Sequence, residues 1–127
     1  MTQRWIVDAM NVIGSRPDGW WKDRRAAMVA LVDRLERWST AGDHRVTVVL
    51  ERPPSPPIDS SVIDVAYAPR AAANSADDEI VRIVTATDDR QNLTVVTSDS
   101  ALVERVTSAG ASVCPATAFR ELIDPRR

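Results

Sequence analysis

At 127 residues the chain has the length of one compact domain, residues 1–127, and its 44% of hydrophobic residues suffice for a single core. Its 18 acidic and 16 basic side chains nearly cancel to a net charge of -2, which excludes a strongly basic nucleic-acid tail and a disordered polyanion. One cysteine, Cys114, and one histidine, His44, exclude an intramolecular disulfide and a Cys/His zinc centre, so any metal must be held by oxygen, which points to Mg2+ or Mn2+.

Apolar and amphipathic runs alternate, the pattern of βαβ units around a mainly parallel sheet. Arg4 to Asp8 reads as a short buried strand ending in a carboxylate, followed by a polar loop with Pro17-Asp18-Gly19. Asp8 also interrupts any signal-peptide core. The longest apolar stretch, Ala26 to Val32, is far short of the ~20 residues that span a bilayer, so a cytoplasmic chain with no membrane partner is expected. Met28, Leu31, Val32, Leu35 and Trp38 recur at helical spacing and predict a helix over Asp23 to Trp38. Gly42-Asp43 breaks it, and His44, in a polar Gly-Asp-His-Arg turn, is expected to be solvated.

Arg45 to Leu50 is a second strand, ending at Glu51. Arg52 to Pro57 holds 4 of the 8 prolines and must be extended. A stiff wall beside the active site is preferred for it over a ligand for an SH3-like partner. Ser61 to Ala68 reads as a third strand, Pro69 to Ser75 as a loop, and Ala76 to Thr87 as a helix with Ile80, Ile83 and Val84 inward. Leu93 to Thr97 is a fourth strand, Ser100 to Ala109 a helix closed by Gly110, Ala111 to Cys114 a fifth strand, and Thr117 to Ile123 a last helix.

Acidic residues recur at one topological place. Asp8 ends the first strand, Glu51 the second, Asp99 follows the fourth, and Asp77 with Asp78 opens the helix before it. The carboxyl ends of parallel strands share one edge, where ligands of open α/β sheets bind, so these acids converge. Like charges brought together need a cation, a paired arginine or a proton. Four or five carboxylates suit one or two hydrated divalent ions, which polarise phosphoryl oxygens and activate water for phosphodiester hydrolysis. Each acid also has a plainer explanation: Ser75 as a helix cap with Asp77 and Asp78 in the first turn, Asp99 as a cap for the next helix, and Glu51 as an exposed residue before the prolines. Asp8 resists such an explanation, because a carboxylate on a central buried strand needs strong compensation. Asn11 is suited to bond a carboxylate or phosphate, or to form an Asx turn. Ser98 and Ser100 suit orienting water or touching RNA, or capping a helix.

Asp8-Ala9-Met10-Asn11-Val12-Ile13, Ala76-Asp77-Asp78-Glu79-Ile80 and Thr97-Ser98-Asp99-Ser100, in this order and spacing, resemble the NYN domain, and within it the YacP-like branch of the PIN-like nuclease superfamily. The resemblance runs from about residue 4 to residue 123. It implies a three-layer α/β/α fold with strand order 3-2-1-4-5 and a metal-dependent ribonuclease site. Asp8, Asp77 and Asp99 fall on the family's acidic positions, Asn11 on its asparagine, and Asp78 on a frequent second acid. Two departures stand out. Asp8-Ala9-Met10-Asn11 replaces the frequent Asp-Gly-Tyr-Asn, and Leu50-Glu51-Arg52 stands where an aspartate is common after the second strand.

The reading is therefore a Mg2+ or Mn2+-dependent endoribonuclease for single-stranded or unpaired RNA, with Asp8, Asp77 and Asp99 as ligands, Asp78 or Glu51 in support, and Asn11 beside them. Arg16, Lys22, Arg24, Arg25, Arg52 and Arg70 supply the positive surround for phosphates, and Trp20 and Trp21 offer base-stacking platforms unless one of them plugs the core. The alternative is a non-catalytic RNA-binding module of the same fold. A strand-end aspartate acting as a phosphatase or receiver nucleophile ranks low, because Met10 stands where a second aspartate belongs and no lysine lies near the last strands. Self-association is not legible.

Overall fold

The protein was analysed as a computed structural model that describes residues 3–68 and 75–124. Its strands are β1 (Arg4–Asp8), β2 (Arg45–Leu50), β3 (Asp64–Tyr67), β4 (Leu93–Val96) and β5 (Ser112–Cys114). Its helices are α1 (Ala9–Gly14), α2 (Arg24–Gly42), α3 (Ser75–Ala86), α4 (Ser100–Ser108) and α5 (Ala116–Ile123), with short 3-10 turns at Trp20–Lys22 and Arg90–Asn92. The strands form one parallel sheet in the order β3-β2-β1-β4-β5, the α/β architecture expected from the sequence.

Strand periodicity sorts the side chains onto two faces. Val7 pairs in register with Val48 and Val96, and all three point toward α1, α2 and α5. Ile6 pairs with Val95 and points with Val49 toward α3 and α4. Both faces of the central strands are covered, so they read as continuous apolar runs rather than alternating ones. The same parity places Asp8, in register with Val49, on the α3/α4 face.

Three elements differ from the sequence expectation. The residues after β1 form a helix, α1, because Ala9, Val12 and Ile13 recur at helical spacing and are all buried. Helix α2 starts at its Asp23 cap, whose carboxylate accepts from the Ala26 N–H at 3.0 Å, but it runs on to Gly42. Its left-handed cap falls on Asp43, and Ser39 is buried with its hydroxyl donating to the His44 carbonyl. Strand β3 is shorter than expected because the Ser60 hydroxyl accepts from the Val62 and Ile63 N–H groups, each at 3.1 Å, and folds that segment into a turn. The expected loop at 69–74 and the capping role of the Ser75 side chain lie outside the described residues.

At the edge of the sheet opposite its carboxyl ends, Trp5, Trp38, His44 and Phe119 form an aromatic cluster. Phe119 is fully buried, with its ring 5.5 Å from Trp5 and 5.2 Å from Trp38, and so docks α5. Truncating such an aromatic costs about 3–5 kcal/mol. His44 is not the solvated loop residue expected. Its ring stacks on Trp38 with centroids 3.9 Å apart and meets the edge of Trp5, and burial holds its pKa below the usual 6.5. The fold disfavours the imidazolium, so this contribution is complete above the unfolded pKa and is lost as pH falls from there through the lower folded pKa. Urea melts at pH 7.5 and pH 5.5 should show a loss for the wild type beyond that of His44→Gln; equal losses would contradict the burial argument.

Candidate active site

The carboxyl edge of the sheet gathers the end of β1, the turn after β4, and the first residues of α1, α3, α4 and α5. Asp8 is the centre. Only 5% of it is exposed, its carboxylate accepts from the Thr97 hydroxyl at 3.2 Å, and the Asn11 backbone N–H lies on the side that favours its charge. Thr97 is shared, because its oxygen also accepts from the Asp99 N–H at 3.1 Å. Asp99 caps α4 by accepting from the Leu102 N–H at 3.0 Å. Asn11 uses its side-chain oxygen to hold the Ser98 N–H at 2.8 Å, and the Ser98 hydroxyl accepts from the Ala116 N–H at 2.9 Å, so it serves the start of α5. Four elements are thus tied through short polar side chains of β1, α1 and the β4–α4 turn.

The electrostatics identify which acids act on one another. Burial, then the negative charges of Asp77 and Asp99, push the Asp8 pKa up to about 6 against the opposing bonds from Thr97 and Asn11. Asp77 is raised as well, by burial, Asp99 and Asp78, against Arg105. Among the described residues, no positive side chain is among the groups acting on Asp8. Asp8, Asp77 and Asp99 therefore form one set of like charges, two of them on helix starts where the macrodipole tempers the cost.

The other expected ligands are placed elsewhere. Asp78 is exposed and accepts from Arg105 at 3.0 Å, which turns its charge away from the set. Glu51 lies 3.5 Å from the Arg24 guanidinium and lines a separate cleft on the α1/α2 side, because the chain leaves β2 toward the proline segment. Among the described residues, no three His, Cys, Asp or Glu side chains stand close enough to hold a metal ion without moving. In kind the donors suit a hard divalent cation: they are carboxylate oxygens, mutually repelling, with no positive group among the described residues acting on the buried member.

The expected positive surround divides in the same way. Arg16 is committed to Asp124 through two bonds of 2.7 and 3.1 Å, and it holds that carboxyl below its usual range. With Arg120 donating to the Ser15 carbonyl, it fastens the loop after α1 to the end of α5, a structural role in place of the RNA contact expected. Trp20 packs on the core with the Arg24 guanidinium 5.4 Å over its ring, whereas Trp21 is 59% exposed. Lys22, Arg24 and Arg52 are exposed, as are Ser98 and Ser100 at the start of α4. Arg25 donates to the Pro56 carbonyl at 2.7 Å and fixes the proline segment as a wall. Arg70 lies outside the described residues. Thr97 received no role from the sequence. Its only signal was parity, which puts it on the same face as Asp8.

Comparison with known proteins gives a family and a fold. The model of the YacP-like NYN domain matches residues 5–127. Two crystal structures of Rae1 (YacP) from Bacillus subtilis are similar in fold. The W164L mutant has a TM-score of 0.78 at 21% identity, covering 95% of this chain and 75% of that one. The other structure has a TM-score of 0.76 at 22% identity, covering 95% and 74%. The search of curated proteins found no match.

The Asp8 carboxylate is a burden on the metal-free fold. Because its folded pKa lies above the unfolded value of 3.8, its ionisation costs stability at pH above about 6, and that cost vanishes as pH falls through 3.8. Asp8→Asn should raise metal-free stability at pH 7.5 by about 1–3 kcal/mol, with the gain shrinking toward pH 4. Urea denaturation in EDTA measures it, and an unchanged or lower midpoint at pH 7.5 would refute the charge set described.

Proposed function

The chain belongs to the YacP-like NYN domain family, a PIN-like nuclease family, and from that premise we propose that it is an endoribonuclease that cuts single-stranded or unpaired RNA with Mg2+ or Mn2+ as cofactor. The observation that carries the proposal is the buried Asp8, set among the like charges of Asp77 and Asp99 and itself acted on by no positive side chain among the described residues. A structural carboxylate in that position would be paired with arginine, as Asp124 is with Arg16. A carboxylate kept for a cation is left open.

In this reading Asp8, Asp77 and Asp99 hold the cation, which supplies charge compensation and Lewis-acid polarisation of the phosphodiester. Thr97 is a positioning residue. Its hydroxyl donates to one Asp8 oxygen and fixes the orientation of the other. Asn11 has its oxygen engaged with Ser98, so its amide N–H groups are the ones suited to a phosphate oxygen. Arg24, held over Trp20, and the exposed Trp21 offer charge and a stacking face to unpaired nucleotides, which supports RNA in single-stranded form. The separation of the carboxylates favours one second reading, an RNA-binding module that has lost catalysis.

Incubating a labelled single-stranded RNA with Mn2+ separates the two. The wild type should cleave it, EDTA should abolish cleavage, and Asp8→Asn should reduce the rate by roughly 10²-fold or more. Thr97→Val should reduce the rate ~10–100-fold and raise the Mn2+ concentration required, as loss of a residue that orients a ligand does. Asp78→Ala should change it little. Cleavage that survives EDTA and Asp8→Asn would refute the mechanism, and binding without cleavage would favour the second reading.

A further inference from the structure

Resting on the reading that the substrate is RNA, we propose that the cleft between α1, the start of α2 and the proline segment is a pocket for one nucleotide, and that Glu51 in it selects guanine. The cleft encloses about 420 Å3, within the range of small-molecule sites. Met10 and Met28 supply apolar lining, Arg24 and Arg52 supply charge, and Pro53 and Pro54 supply a rigid side. Met10 is two residues from Asp8, so the pocket opens on the same sheet edge as the acid set, on the opposite face of β1.

Each part has a chemistry that a nucleotide meets. Thioethers are polarisable and adaptable, and they pack on the flat face of a base splayed out of a single strand. Arg24 is held in place by Trp20 beneath it, and Arg52 lines the same cleft and is exposed; both suit a phosphate. Arg25 also lines the cleft, and its bond to the Pro56 carbonyl keeps the wall in place.

Glu51 is the unexpected member, a carboxylate in a basic cleft. At 3.5 Å from Arg24 with both side chains about half exposed, 44% and 53%, it is beyond a good hydrogen bond and is not locked to that partner. A carboxylate only accepts hydrogen bonds. Guanine is the base whose Watson–Crick edge presents two adjacent donors, N1–H and N2–H, to the two carboxylate oxygens. Adenine and cytosine set a ring-nitrogen acceptor beside their amino donor, and uracil flanks its single N3–H with two carbonyls. Each of those places an acceptor against Glu51.

Fluorescence anisotropy tests the pocket without catalysis. Labelled uridine octamers carrying one central G, A, C or U are titrated with the full chain in EDTA, and the same octamers are incubated with Mn2+ in parallel. The G octamer should bind about tenfold more tightly than the other three. Glu51→Gln should reduce that preference to less than about twofold, and Arg24→Ala should weaken all four; urea midpoints confirm that both variants fold. Equal binding of the four octamers, or a G preference unchanged in Glu51→Gln, would overturn the pocket while leaving the RNA reading intact if the octamers are cleaved. Failure to bind or cleave any of them would overturn both.

Discussion

A carboxylate removed from water at the end of the central strand is the constraint around which this protein is arranged. Asp8 is flanked by β2 and β4 and influenced by the acids at the starts of α3 and α4, with little solvent reaching it and no arginine among the described residues acting on its charge. The fold answers with two neutral groups, the Thr97 hydroxyl, which donates to the carboxylate, and the Asn11 backbone N–H near it, which lower the cost without cancelling the charge. Both donors belong to groups that also organise the β4–α4 turn. The local stability of the edge and the placement of the acid therefore depend on the same few bonds.

The sheet separates two electrostatic environments that the net charge of -2 conceals. On the α3/α4 face the acids repel one another. On the α1/α2 face Arg24, Arg25 and Arg52 surround a cleft that contains one carboxylate. Strand parity imposes the division: Asp8 shares the face of Ile6, whereas α1 carries Met10 over to the other side. A polyanion lying across the edge would meet both environments in succession, charge-seeking on one side and charge-supplying on the other.

Much of this was legible in the sequence, for physical reasons. The apolar runs of β1, β2 and β4 announce strands buried on both faces, and the shared edge of a parallel sheet brings Asp8, Asp77 and Asp99 into mutual influence. Helix α1 was not legible because six residues give too few turns for periodicity to declare itself, and β3 was overextended because a serine hydroxyl diverted its first residues. Pairing choices were also hidden. Nothing local to Arg16, Asp78 or Glu51 reveals that each finds an opposite charge from another element: Asp124, Arg105 and Arg24. Such partners are set by how helices dock, which spacing along the chain does not encode.

The bond between Thr97 and Asp8 joins residues 89 positions apart, and that between Asn11 and Ser98 spans 87. Long-range contacts of this kind close late, after the entropy of a large loop has been overcome. While the amino-terminal part of the chain is emerging, Asp8 is an ordinary hydrated aspartate with no special affinity. It becomes a buried group beside like charges only when β4 is laid beside β1 and the following turn closes over it. The acid set is thereby assembled near the end of folding, and the incomplete chain carries its members apart.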